Sequence, residues 1–140
     1  MRTGLYLLLL LLPFTMACQP NYYVFALSRC SEKAPWGIHG LWPEWNSTSW
    51  PQFCNMSDPL DLKNIQPLIP LMKERWYSCE GNNTAFWEHE WLKHGTCTTL
   101  DQYGYFSVAL YLYEVLAWKP LCNPWETNCL VPLEAFINPS

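Results

Sequence analysis

The chain has 140 residues and a formal net charge of -4, with 50% hydrophobic, 16% aromatic and 14% charged residues. That length suits one domain, and so few charges among so many aromatics exclude a disordered chain. The acidic balance excludes a tight, charge-driven nucleic-acid binder, but not an enzyme that holds nucleic acid briefly.

In chain order, residues 1–17 read as a secretory signal. Arg2 supplies the positive start, Leu5 to Leu12 the apolar run, and Thr15-Met16-Ala17 a cleavage triplet. The run is too short to span a bilayer comfortably. Cleavage after Ala17 leaves residues 18–140 as one domain with a charge of -5, because Arg2 is lost. The expected destination is extracellular, or vacuolar-lysosomal, with no membrane attachment after cleavage. Seven cysteines in an exported chain read as disulfides rather than metal ligands, and no C-x-x-C pair occurs. Asn46-Ser47-Thr48, Asn55-Met56-Ser57 and Asn82-Asn83-Thr84 are glycosylation sequons.

Tyr22 to Leu27 is an aromatic and β-branched run, predicting a buried strand. Trp36 to Trp42 is a second apolar stretch that Pro43 ends, and residues 43–60 predict a surface loop. Leu62, Ile65, Ile69, Met72 and Trp76 have helical spacing, which Pro67 and Pro70 must break or kink. Ala85 to His94 predicts a helix that Gly95 stops. Tyr105 to Trp118 predicts another, with Phe106, Ala109, Leu110, Tyr113 and Ala117 on one stripe. Beyond Pro120 the chain reads as irregular.

The chemistry lies around the histidines. On a helix, His89, Glu90, Lys93 and His94 fall along one edge, so two imidazoles, a carboxylate and an ammonium converge. A zinc-protease H-E-x-x-H would need His at the place of Lys93, whose charge repels a metal and attracts an anion such as phosphate. Two imidazoles with a lysine suit RNA cleavage without a metal or cofactor. A neutral imidazole takes the proton of the 2′-hydroxyl, an imidazolium protonates the leaving oxygen, and DNA, lacking that hydroxyl, is inert. His39 is the remaining histidine and the candidate partner. Taken singly, His39 reads as a core histidine, Glu90 and Lys93 as a surface pair, and Trp42, Trp87 and Trp91 as core.

The flanking residues join them. Ile38-His39-Gly40-Leu41-Trp42-Pro43 and Phe86-Trp87-Glu88-His89-Glu90-Trp91-Leu92-Lys93-His94-Gly95-Thr96-Cys97 resemble the two active-site segments of the T2 family of secreted ribonucleases. Tyr23 to Leu27 and the predicted helix around Tyr105 are similar to that family too. The resemblance implies an α+β fold, an antiparallel sheet packed with helices. It implies His94 as general base, His39 as acid, Glu90 and Lys93 as transition-state stabilisers, and His89 as a phosphate contact. It implies Trp42 and Glu44 at the first base and Phe86 at the second, with a 2′,3′-cyclic phosphate as product. Stacking of about 1–3 kcal/mol per base tolerates sequence, so low base specificity on single-stranded RNA is expected. The expected enzyme is monomeric. The resemblance also implies a Cys54–Cys97 disulfide. Cys18–Cys30 and Cys122–Cys129 are expected as local pairs, leaving Cys79 unpaired. Because the family pattern continues past the place of Pro132, the chain reads as C-terminally shortened. Two other readings stand beside the enzyme: an inactive secreted binding protein, and a zinc hydrolase that Lys93 and a missing third ligand disfavour.

Overall fold

The structure is a computed structural model and describes residues 20–134. The expected signal, its cleavage site and Cys18 lie outside the described residues. Three strands form one antiparallel sheet: β1 (Tyr22–Ser28), β2 (Gly37–Glu44) and β3 (Asn128–Pro132), in the order β2-β1-β3. Among the described residues it is accompanied by the α-helices α1 (Ile69–Arg75), α2 (Asn83–Lys93) and α3 (Gln102–Val115). The fold is α+β, as the resemblance implies. None of the described helices is long and apolar enough to cross a membrane.

β1 is the central strand, and Val24 to Leu27 are all buried. A strand covered on both faces carries an unbroken apolar run, which is what Tyr22 to Leu27 shows. β2 runs through Pro43 to Glu44. As an edge strand it tolerates a proline, which has no N–H to give. Its ladder with β1 is irregular at one place. Gly40 faces Ala26 and Ile38 faces Leu27, so His39 is an extra residue, a β-bulge. The outer edge of β2 is covered from the helices. Trp76 donates its indole N–H to the His39 carbonyl at 2.9 Å, and the Tyr105 hydroxyl donates to the Leu41 carbonyl at 3.0 Å.

The prolines of the third segment start helices rather than kink one. Pro67 opens a 3-10 turn (Gln66–Leu68), and Pro70 sits in the first turn of α1, where a missing N–H costs nothing. Met72 and Trp76 still reach the core. In α3, Gln102, Tyr105, Phe106, Ala109 and Leu110 are buried, the stripe of a helix against a core. This helix ends at Val115, short of the predicted Trp118, and Ala117 is exposed instead of lying on the stripe. Leu116 turns to extended backbone so that Trp118 can fold under Tyr113 and Trp36, its indole N–H donating to the Tyr113 carbonyl at 2.9 Å.

Two further expectations are corrected. The region after Pro120 is not all irregular, because β3 pairs with β1 and buries Cys129 and Val131. Arg29 anchors the chain leading into it. Its guanidinium donates to the carbonyl of Glu126 and stacks 4.6 Å over Trp36. Cys30 pairs with Cys79, so Cys79 is not free and Cys30 is not the partner of Cys18. Folding brings the turn after β1 against the loop before α2, a closeness that local spacing does not encode. Cys54–Cys97 and Cys122–Cys129 are also disulfides. Cys30–Cys79 closes a 49-residue span. Replacing both cysteines with serine should cost about 2–4 kcal/mol, read as a lower urea midpoint under non-reducing conditions.

Candidate active site

α2 supplies most of the candidate residues. Its N-cap is Asn82, whose side chain accepts from the Ala85 N–H at 3.0 Å. At the other end the chain tightens through a 3-10 turn (Gly95–Cys97), where a Cβ on Gly95 would lie 2.2 Å from the Trp91 ring. The close approach demands glycine and brings His94 inward. Phe53 donates its backbone N–H to the Lys93 carbonyl at 2.9 Å, and the Cys54–Cys97 disulfide clamps the same place. The two histidine-bearing segments are thereby tied through one loop.

Glu90 lies at the centre, 1% exposed. Its Oε1 is 3.4 Å from His39 Nε2, and its Oε2 is 3.9 Å from His94 Nε2. The Trp42 indole N–H donates to Oε2 at 2.9 Å. One buried carboxylate thus faces two imidazoles and an indole donor, which compensates the cost of removing it from water. His39, about a third exposed at its side chain, reaches this cluster from the bulge in β2. His94 is 5% exposed and lies flat against Trp42, with ring centroids 4.9 Å apart and an interplanar angle of 19°. Its Nδ1 is buried without a hydrogen-bond partner among the described residues. Burial pushes the His94 pKa down to about 4; Glu90 opposes that shift, and the Lys93, His89 and His39 charges reinforce it.

The remaining candidates surround this centre. Phe86 meets the His39 ring edge-on at 5.4 Å, and Trp42 does so at 5.2 Å. His89 is exposed one turn before Lys93, with its ring 6.2 Å from that of Phe53. His39, Phe86 and His89 line a groove of about 780 Å³ that Ser28 and Asn128 also line. Lys93, half-buried, lies within Coulomb reach of His94. Glu44 stands apart at the end of β2, half-buried, with burial raising its carboxyl pKa. Among the described residues, no three His, Cys, Asp or Glu side chains are grouped as a metal site. Two features escape the sequence reading. Asn128 joins the groove wall from the unpredicted β3, and Trp50, 47% exposed, stands in the loop after Trp42. An aromatic in a polar loop was the available signal for Trp50.

Comparison with known proteins places the chain in a family. The sequence model of the Ribonuclease T2 family matches residues 5–132. The chain belongs to this family. Ribonuclease 1 of Arabidopsis thaliana is 46% identical over 112 residues, covering 76% of this chain and 44% of that protein. Ribonuclease Oy of Magallana gigas is 39% identical over 114 residues, covering 66% and 54% respectively. Among solved structures, RNase NT in complex with 5′-AMP superposes with a TM-score of 0.64 at 31% identity, covering 69% of this chain and 57% of that one. The chain spans about half the length of the curated T2 relatives it matches.

Proposed function

We propose that this protein is an exported endoribonuclease that cleaves single-stranded RNA by metal-independent transphosphorylation. The observation that carries the reading is the buried Glu90 carboxylate with an imidazole on each side, His39 at 3.4 Å and His94 at 3.9 Å. Family membership and the ribonuclease names of the relatives support it.

In the proposed reaction, neutral His94 takes the proton of the 2′-hydroxyl as that oxygen attacks phosphorus. The bond from phosphorus to the 5′-oxygen breaks, and protonated His39 gives its proton to the leaving oxygen. The products are a 2′,3′-cyclic phosphate and a free 5′-hydroxyl. Two such proton transfers suit imidazoles at mildly acidic pH. Lys93 and His89 would offset the charge that grows on the phosphoryl oxygens, and Glu90 would hold both imidazoles in place. Trp42 with Glu44 would take one base and Phe86 the next. Residues 1–17 would direct export.

His94 burial serves this role, since an imidazole with a pKa of about 4 is an unprotonated base at pH 5. The acidic limb of kcat/KM should therefore lie near pH 4, measured on a dinucleotide across pH 3–7. Stability moves in the same direction. The folded pKa is below the ordinary value of 6.5, so between pH 6.5 and 4 the unfolded chain binds more protons. The contribution is complete above about pH 6.5 and is lost as pH falls towards 4. It amounts to roughly 3 kcal/mol, read from urea unfolding at pH 7 and pH 4.

The decisive assay incubates the protein with single-stranded RNA in EDTA and follows the cyclic phosphate by mass spectrometry. Cleavage that a chelator abolishes, or equal cleavage of DNA of the same sequence, overturns the reading. A second reading, an inactive RNA-binding protein, draws on the Trp42 ring lying over the nearly inaccessible His94. Folded protein that binds the RNA yet leaves it whole would decide for that one.

A further inference from the structure

Three sequons remain outside the chemistry, and they occupy different places. Asn46 and Asn55 sit in the loop after β2, each accepting from the backbone N–H two residues on, at 2.9 Å for Thr48 and 3.1 Å for Ser57. Neither lines the groove. Asn82 does. It is exposed at the start of α2, on the stripe formed with Ala85, Phe86 and His89, and all four border the groove beside His39. Asn82 and His89 are two helical turns apart, about 10 Å along the axis. The cap uses Asn82 Oδ1, which accepts from Ala85, and so leaves Nδ2, the atom that carries an N-linked sugar, outside the cap. Thr84, the third residue of the sequon, is exposed.

We propose that Asn82 is a glycan attachment site whose oligosaccharide stands over the mouth of the groove, shielding His89 and hindering long polymers from entering. It rests on the reading that the chain is exported, and its effect on catalysis rests on the ribonuclease reading. A branched, hydrated oligosaccharide rooted on the α2 rim sweeps the space through which a strand leaving Phe86 would run. A dinucleotide ends before that space. Glycans at Asn46 and Asn55 start from another loop and leave the mouth clear. The modification therefore tunes substrate length at one sequon out of three.

The test uses the full chain secreted from a eukaryotic host. Glycopeptide mass spectrometry reads occupancy at each sequon, and diethyl pyrocarbonate labelling reads the accessibility of His89, with buried His94 as the unreactive reference. Thr84→Ala removes the sequon and keeps Asn82 as the cap; Thr48→Ala and Ser57→Ala are the controls. Asn82 should be occupied. Labelling of His89 should rise several-fold in Thr84→Ala and in neither control. Cleavage of long RNA should rise several-fold in the same variant, and dinucleotide cleavage, which meets His89 but not the space beyond it, should rise much less. A bare Asn82, unchanged labelling, or an equal rise on both substrates overturns the proposal. Should Thr84→Ala fail to fold, native trimming of the wild-type glycans with an endoglycosidase provides the same labelling comparison. RNA left whole by every form defeats the ribonuclease reading, while occupancy and labelling still decide where the glycan stands.

Discussion

His94→Ala and His39→Ala should each lower kcat on single-stranded RNA by about 10²–10⁴-fold, the range for loss of one general acid or base. The two are not equivalent structurally. His39 is partly solvent-exposed but faces the buried Glu90 carboxylate, so its removal should lower the unfolding midpoint modestly, through the compensation that Glu90 loses. His94 is buried against Trp42, so alanine opens a cavity beneath that ring, and some stability should go with the activity. The check is kcat beside a urea melt for each variant, with secretion yield as a control for folding. The double variant should be little worse than either single one, because acid and base act as a unit. Full activity in either single variant would remove that histidine from the proposed mechanism.

Gly40→Ala should be nearly as damaging, although Gly40 carries no chemistry. A Cβ there would lie 2.2 Å from Glu90 Oε2 and 2.3 Å from Trp42 Nε1, both under any permitted contact. Glu90 is buried and cannot retreat into solvent. Either the carboxylate or the strand must shift, which costs about 1–3 kcal/mol as overpacking. A displacement near 1 Å can cost about 10²-fold in rate. The expected result is a lower unfolding midpoint and a kcat lower by about that factor. A variant with wild-type kcat would show that Glu90 need not hold its observed position.

Much of the candidate site was legible because its residues are dense in one segment. Helical geometry alone aligns His89, Glu90 and Lys93, and the joined pattern around His39 and Trp42 supplies the partner. What stayed hidden depends on distance in sequence. Cys30 meets Cys79 only after β1 and the loop before α2 are folded together. β3 is five residues long, and only its pairing with β1 distinguishes it from loop. The end of α3 was misplaced because Trp118 continues the apolar pattern while belonging to a different packing contact. The burial of His94 under Trp42 was likewise not readable, since the two rings lie 52 residues apart and only folding stacks them.

The bulge at His39 also bears on how β2 finds its place. His39 and Trp42 are three residues apart, an odd interval, and in a regular strand they would point to opposite faces. With one residue left out of the ladder, both reach Glu90, while Ile38 and Leu41, also three apart, both enter the core. The alternation of the strand therefore changes phase at this point. A slip of β2 by one residue could satisfy one half of the strand only by turning the other half inside out. Strand registration and the presentation of His39 beside Trp42 are in this sense a single event, so a chain that pairs β2 correctly has already turned both towards the place Glu90 takes.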